Sequence, residues 1–281
     1  MGRHFFVSLS AALLVGLSAL APTAAQESVF PDKNLEAAVR TQVFEKRNTE
    51  EPLSKEDATK VYVLKAKGKE IKDLTGLEFC INLGEVDLSD NQIIDIGPVK
   101  ALENLQSLDL SGNRITDLSP LAELTKLQYL GLSQNQISDV APLAKLVNLN
   151  ALYLAGNQIA DITSLKDLQK VWSLYLGGNP LRNMGVLGGL RWVSTLDLRG
   201  CGISDVSPLK GLKELSMLFL EDNKIADLGP LVEMVREDAE GEKSFAPFLR
   251  LYLKGNPLSD SAKDQQLTAL QKWGVRINPD N

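Results

Sequence analysis

One asparagine every 22 residues constrains this chain more than any other feature. Asn91, Asn113, Asn135, Asn157 and Asn179 fall at that interval, Cys201 takes the next place, Asn223 the one after, and Asn256 follows 33 residues later. The same frame carries apolar residues at fixed offsets. In one unit these are Leu105, Leu108, Leu110, Ile115, Leu118, Leu121 and Leu124; in the next, Leu127, Leu130, Leu132, Ile137, Val140, Leu143 and Leu146. One period earlier, Val61, Leu64, Ala66, Ile71, Leu74 and Leu77 form a degenerate first unit with Lys69 in the asparagine place, making nine units over residues 61–258. A unit this short cannot bury its own apolar face. Stacked neighbours close one shared core, so the chain must form a solenoid rather than a globule.

Each half of the unit has a mechanical reading. The L-x-L segment alternates, so its leucines point inward from a short strand and the residue between them faces out. Stacked strands pair into a parallel sheet. The asparagine amide can bond backbone groups of its own turn and of neighbouring units that would otherwise be stranded in the core. The second half reads I-x-D-I/L-x-P-L-x-x-L, with aspartates at 73, 95, 117, 139, 161, 205 and 227 and prolines at 98, 120, 142, 208 and 230. Proline so close to the next strand predicts short 3₁₀ turns on the convex side. The aspartates are read as turn caps in preference to a metal or acid ladder, because Asp bonds the backbone that follows it.

These residues spell L-x-x-L-x-L-x-x-N/C-x-L, and the chain resembles the bacterial 22-residue leucine-rich repeat class typified by internalins. The resemblance implies an α/β solenoid with a curved parallel β-sheet on its concave face, and a repeat domain that binds protein partners. It extends over most of the chain. Only about 25 residues follow the last repeat, which leaves no immunoglobulin-like domain, sorting signal or attachment module to expect, so host invasion is not carried over. The caps resemble those of secreted bacterial repeat proteins more than internalin caps.

Both solenoid ends need covering. Residues 26–60 are expected to cap the first end. Asp32 starts a helix whose Leu35, Ala38, Val39, Gln42 and Val43 share a face, and a second short helix runs from Ser54 through Ala58. Residues 259–281 cap the other through an amphipathic helix bearing Leu267, Leu270 and Trp273, ended by Gly274 and followed by a strand at 275–277. The 11 extra residues of the last unit centre on 236–246. They carry Glu233, Glu237, Asp238, Glu240 and Glu242 nearby, and are expected to project from the convex side as solvated surface rather than as a docking element. Residues 1–25 read as a secretory signal peptide, with Arg3 and His4 before an apolar run from Phe5 to Leu20 and cleavage after Ala25. That predicts a secreted or periplasmic protein without a transmembrane segment in its mature form. Its two cysteines, Cys80 and Cys201, lie five to six units apart, roughly 26 Å at ~4.8 Å per strand, too far for a disulfide.

Composition narrows function further. With one histidine, two distant cysteines and no G-x-S-x-G, P-loop, H-E-x-x-H or EF-hand loop, the chain offers no expected catalytic residue, metal site or cofactor. A formal charge of −6 without a basic cluster excludes a dedicated nucleic-acid binder. The leucine register instead lists the outward face. Candidate partner-binding residues are Glu85, Asp87, Asp109, Tyr129, Tyr153, Tyr175, Asp197, Arg199, Phe219, Glu221 and Tyr252, acidic early and aromatic in the middle and late units. Four of the five tyrosines fall there. Exposed aromatics on a rigid sheet favour contact with a protein or peptide, although pairing across strands for stability explains them too. Asp87 and Asp109 are read as solvated carboxylates rather than a calcium site. Trp172 and Trp192 lie beside the strand starts, where packing and partner contact remain equal readings. The leading expectation is a non-enzymatic, monomeric binding module. A self-associating envelope protein and a carbohydrate binder using the concave tyrosines are the alternatives.

Overall fold

The computed structural model describes residues 1–2 and 27–278. The leader reading and its cleavage after Ala25 lie outside the described residues, apart from Met1 and Gly2. Ten strands pair in chain order into a single parallel sheet. They are β1 (Val63–Lys65), β2 (Glu85–Asp87), β3 (Ser107–Asp109), β4 (Tyr129–Gly131), β5 (Ala151–Tyr153), β6 (Ser173–Tyr175), β7 (Thr195–Asp197), β8 (Met217–Phe219), β9 (Arg250–Tyr252) and β10 (Arg276–Ile277). Register follows the sequence period: Leu108 stands beside Leu130, Leu130 beside Leu152 and Leu152 beside Leu174, all buried. The leucine, isoleucine and valine positions of all units merge into one continuous core.

A buried amide ladder runs beside that core. The Asn135 Nδ2 donates to the carbonyls of Leu110 (3.0 Å), Leu132 (3.1 Å) and Ser133 (3.3 Å), while its Oδ1 accepts the Ile115 N–H at 3.0 Å. Asn113 and Asn157 repeat the pattern one unit either way. Each amide thus joins its own unit to the preceding one through backbone groups that have no water to turn to.

The convex wall is built of 3₁₀ turns, including Gly97–Ala101, Ser119–Leu121, Ala141–Lys145 and Ser207–Leu209, each with proline in its first two positions. The repeating aspartates cap these turns as expected. Asp117 Oδ1 accepts the Ser119 N–H, and Asp95, Asp139, Asp161 and Asp205 do the same two residues ahead.

Helices flank the repeats at both ends. Helix α1 (Lys33–Gln42) buries Leu35 and Val39, and α2 (Lys55–Thr59) starts in a reciprocal capping box between Ser54 and Asp57. Asp32 both caps α1, through the N–H groups of Asn34 and Leu35, and accepts those of Lys72 and Asp73 in the first repeat. Burial opposes its charge, but these four donors outweigh it and hold the carboxyl below its ordinary value.

The insertion departs from expectation. Its excess lengthens the convex turn of that unit into α3 (Gly229–Glu240), whose Leu231, Met234 and Val235 are buried. It lies against the wall instead of projecting from it. The acidic residues reach back to the preceding unit: Lys210 pairs with Glu233 (3.8 Å) and Glu237 (3.2 Å), and Lys213 with Glu242 (3.8 Å). The C-terminal cap opens with a π-helical turn at Ala262–Gln266 before α4 (Leu267–Lys272), and Gly274 at φ 91° turns the chain into β10.

Candidate functional site

The face opposite the core is positioned by strand alternation alone. Residues one place either side of each inward leucine look out, and neighbours in register are one strand apart. Tyr153 stands beside Tyr175, Tyr175 beside Asp197, Asp197 beside Phe219 and Phe219 beside Tyr252. The rings use that spacing. Tyr153 and Tyr175 stack with centroids 4.6 Å apart and planes 14° from parallel, and Phe219 and Tyr252 stack at 4.7 Å and 17°. Tyr129, from the neighbouring column, tilts onto Tyr153 at 5.3 Å and 41°. The face therefore carries two ordered aromatic groups, and the cross-strand pairing reading and the exposed-face reading both describe them. All five rings are half-buried.

A charged node separates the two groups. Arg199 lies in the turn two residues after Asp197, the last residue of β7, and its guanidinium bonds the carboxylate through Nε (2.9 Å) and Nη2 (2.7 Å). The hydrogen bond it donates to Asp197 holds the guanidinium above its ordinary pKa. Arg199 also lies over the Phe219 ring at 5.1 Å. Asp197 is only 2% exposed, so it is not the accessible contact that alternation suggests. Gly177 beside it leaves a notch that the carboxylate fills, and Arg199 closes over it. Arg199, half exposed, presents the charge instead.

The early acidic part of the face is more open. Glu85 is exposed, Asp87 and Asp109 half-buried. Asp87 Oδ1 accepts the Ser89 N–H and hydroxyl, and Asp109 Oδ1 accepts the Ser111 N–H. The other Asp109 oxygen meets the Tyr129 hydroxyl at 3.3 Å. This contact depends on Gly131 at the same register position of the next strand: a Cβ there would stand 2.5 Å from Asp109 Oδ1. Strand alternation places Gly131 on the face, and Gly177 follows β6 on the same side. A glycine neighbouring an aspartate across the sheet is the signal that was there to be read. Glu221, half-buried, has one oxygen that is buried and unbonded among the described residues.

Burial, and then the Asp109 charge, push the Tyr129 phenol far above its usual value; burial, followed by Tyr153 and Asp197, raises Tyr175 as well. Both stay neutral, polar-tipped rings at any ordinary pH. Among the described residues no group of three or more His, Cys, Asp or Glu could hold a metal ion. Both cysteines are buried and unpaired.

Inward leucines, a buried asparagine ladder, a curved parallel sheet and 3₁₀ turns together define a leucine-rich repeat solenoid. A two-copy leucine-rich repeat model matches residues 81–123 and 125–167, and a single-copy model matches 189–207. The crystal structure of internalin C2 from Listeria monocytogenes is 36% identical, with a TM-score of 0.70, over 76% of this chain and 96% of that one. A Leptospira interrogans leucine-rich repeat protein shares the fold at 20% identity and a TM-score of 0.56, over 80% of this chain and 74% of its own. So does the ectodomain of the plant receptor kinase GASSHO1/SCHENGEN3 from Arabidopsis thaliana, at 22% identity and a TM-score of 0.58, over 75% of this chain and 26% of its own. No curated protein sequence matches the chain significantly. The chain belongs to the leucine-rich repeat family, in its internalin-like class. Proteins of this family are typically binding scaffolds rather than enzymes. Among the described residues no helix is long and apolar enough to cross a membrane.

Proposed function

We propose that this protein is an exported, monomeric binding module that holds a protein or peptide on the concave face of its sheet. The observation that carries this reading is the pair of pre-ordered aromatic stacks on the open side of a rigid sheet. Rings already held in place lose little entropy on binding and offer large contact area. Tyr129, Tyr153 and Tyr175 supply one contact region, Phe219 and Tyr252 the other. Arg199 and Glu221 offer charge between them, with Asp197 acting through Arg199. Glu85, Asp87 and Asp109 form an acidic flank suited to a basic segment. Ten strands at ~4.8 Å span about 43 Å, enough for an interface of ~800 Å² per partner. The plant ectodomain of the same fold is seen in complex with Casparian strip integrity factor 2. Replacing Tyr153, Tyr175 and Phe219 together with Ala tests the proposal by affinity capture from periplasmic and surface extracts. The partner retained by the unmodified protein is expected to disappear while the fold persists by circular dichroism. Undiminished capture of the same partner would sink the concave-face reading.

A further inference from the structure

The rim where the chain enters the sheet carries a second surface, away from the aromatic face. Along it the residue just before each strand donates its N–H to the carbonyl of the same position one unit back. Gln128 bonds Gln106 (2.8 Å), Asn150 bonds Gln128 (2.8 Å), Trp172 bonds Asn150 (2.9 Å) and Ser194 bonds Trp172 (2.9 Å). This backbone line fixes side-chain spacing at one strand per step. It presents three carboxamides in succession, then an indole, then a hydroxyl. Trp192 stands in the adjoining column, one repeat beyond Lys170.

Trp172 and Trp192 are 58% and 62% exposed, and they flank one cleft of about 570 Å³. A single exposed apolar side chain needs no explanation, but two large rings around one cleft do. Between the rings the walls are polar: Asn150, Gln169, Lys170, Ser194 and Glu214. A second cleft of about 520 Å³, lined by Gln106, Gln128 and Lys126, continues the first through Asn150 and Lys170. Within the described residues neither indole N–H has a hydrogen-bond partner.

We infer that this rim is a carbohydrate-binding site, in which sugar rings lie on Trp172 and Trp192 and their hydroxyl or acetamido groups are read by Asn150, Gln128 and Gln106. A pyranose has an apolar C–H face and a periphery of groups that both donate and accept, which matches flat aromatic platforms set among carboxamides. An extended peptide fits less well, because the rim N–H groups it would need for strand pairing are already used in the backbone line. Across the two clefts stand Lys126, Lys170 and Glu214 among neutral amides, too few and too mixed in sign to select for a polyanion or a polycation. The ligand follows the rim across repeats, as a linear oligosaccharide would. This site is independent of the concave face.

A broad glycan array, covering bacterial, plant and animal saccharides, tests the assignment with the intact protein and three variants. Saturable binding to a defined oligosaccharide series is expected. Trp172→Ala and Trp192→Ala should each weaken it about tenfold or more, and the double variant should abolish it. Both rings are surface groups, so the melting transition should barely move. The Tyr153→Ala, Tyr175→Ala, Phe219→Ala variant should keep full glycan binding, which separates failure of this site from failure of the concave-face proposal. In a Trp273→Phe background, sugar addition should shift the indole emission of the two remaining tryptophans. The inference is overturned if no glycan is retained, or if retention survives in the double tryptophan variant. It is equally overturned if the tryptophans prove to serve a peptide from a display library, or a concentration-dependent dimer.

Discussion

Two stretches of the same solenoid, 91–179 and 179–223, follow one apolar frame and differ in two polar places: Asn183 stands where an aspartate recurs, and Cys201 stands where the core asparagine recurs. In the first, the amides of Ile93, Ile115, Ile137 and Ile159 each donate to the side-chain oxygen of the next unit's asparagine at 3.0 Å. In the second, Leu181 should find its acceptor at Cys201 and finds a thiol. The Leu181 N–H turns back to its own unit, to the Asn179 carbonyl at 2.9 Å. Cys201 Sγ donates only to Leu176 O (3.4 Å) and Arg199 O (3.6 Å), long contacts from a weak donor. Packing registers the difference: Leu181 is 8% exposed where Ile115, Ile137 and Ile159 are fully buried. Leucines therefore suffice to continue the stack, while the amide decides how tightly each turn closes on the next.

The largest test of that contrast is to remove the amide where it is present. Asn135→Ala strands the Ile115 N–H and the Leu110 and Leu132 carbonyls in the core, so it should cost about 3 kcal/mol or more in chemical denaturation. Cys201→Ala should cost less than about 1 kcal/mol, since so little is bonded there. Cys201→Asn, which restores an acceptor for the preceding turn, should stabilise by about 1 kcal/mol. Equal losses from Asn135→Ala and Cys201→Ala would remove the distinction between the two stretches.

Much of this architecture could be read from spacing, because each device repeats or is local. The leucine register, the asparagine ladder and the aspartate-capped turns are tied to fixed offsets. Ser54 with Asp57, and Asp32 before Leu35, carry their capping chemistry within a few residues. What could not be read depends on contacts between units. Alternation sends Asp197 outward, and only the notch at Gly177 and the fold-back of Arg199 bury it. The helix α3 was legible in part: Leu231, Met234 and Val235 keep helical spacing, and Pro230 suits a first turn. The acidic residues around that face carry the pattern of solvated surface. Their partners, Lys210 and Lys213, belong to the unit before and could be assigned only by the stacking.

Thiol reactivity sharpens the same comparison. Cys80 sits in a leucine place of the frame, with Leu102, Leu124 and Leu146 following at 22 residues, whereas Cys201 sits in an asparagine place. Burial, with help from Glu78, pushes the Cys80 thiol up to about 12, and burial pushes Cys201 up to about 11. At pH 8 almost no thiolate exists at either site, so both should resist iodoacetamide in the native protein for as long as the stack stays closed. Reaction then reports local opening. Mass spectrometry over time should find Cys201 modified before Cys80. Earlier labelling of Cys80 would place the weakest junction at the first repeats instead.

The smallest effect concerns two glycines that admit carboxylates, Asp109 in the first stretch and Asp197 in the second. A Cβ at Gly131 meets Asp109 at 2.5 Å, but that carboxylate is half exposed and free to swing aside. A Cβ at Gly177 meets Asp197 at 2.9 Å, and Asp197 is buried under a two-point clamp from Arg199. Gly177→Ala should therefore destabilise by about 1 kcal/mol, as overpacking beside an immobile group does, and Gly131→Ala by less than about 0.5 kcal/mol. Gly131→Ala has a separate optical consequence. Burial and then Asp109 raise the Tyr129 phenol; moving Asp109 away removes the second cause and leaves the first. Tyr129 should ionise at lower pH than in the unmodified protein, though still above a free tyrosine, in an ultraviolet absorbance titration. An unchanged titration would mean that Asp109 keeps its place and that the glycine is not what admits it.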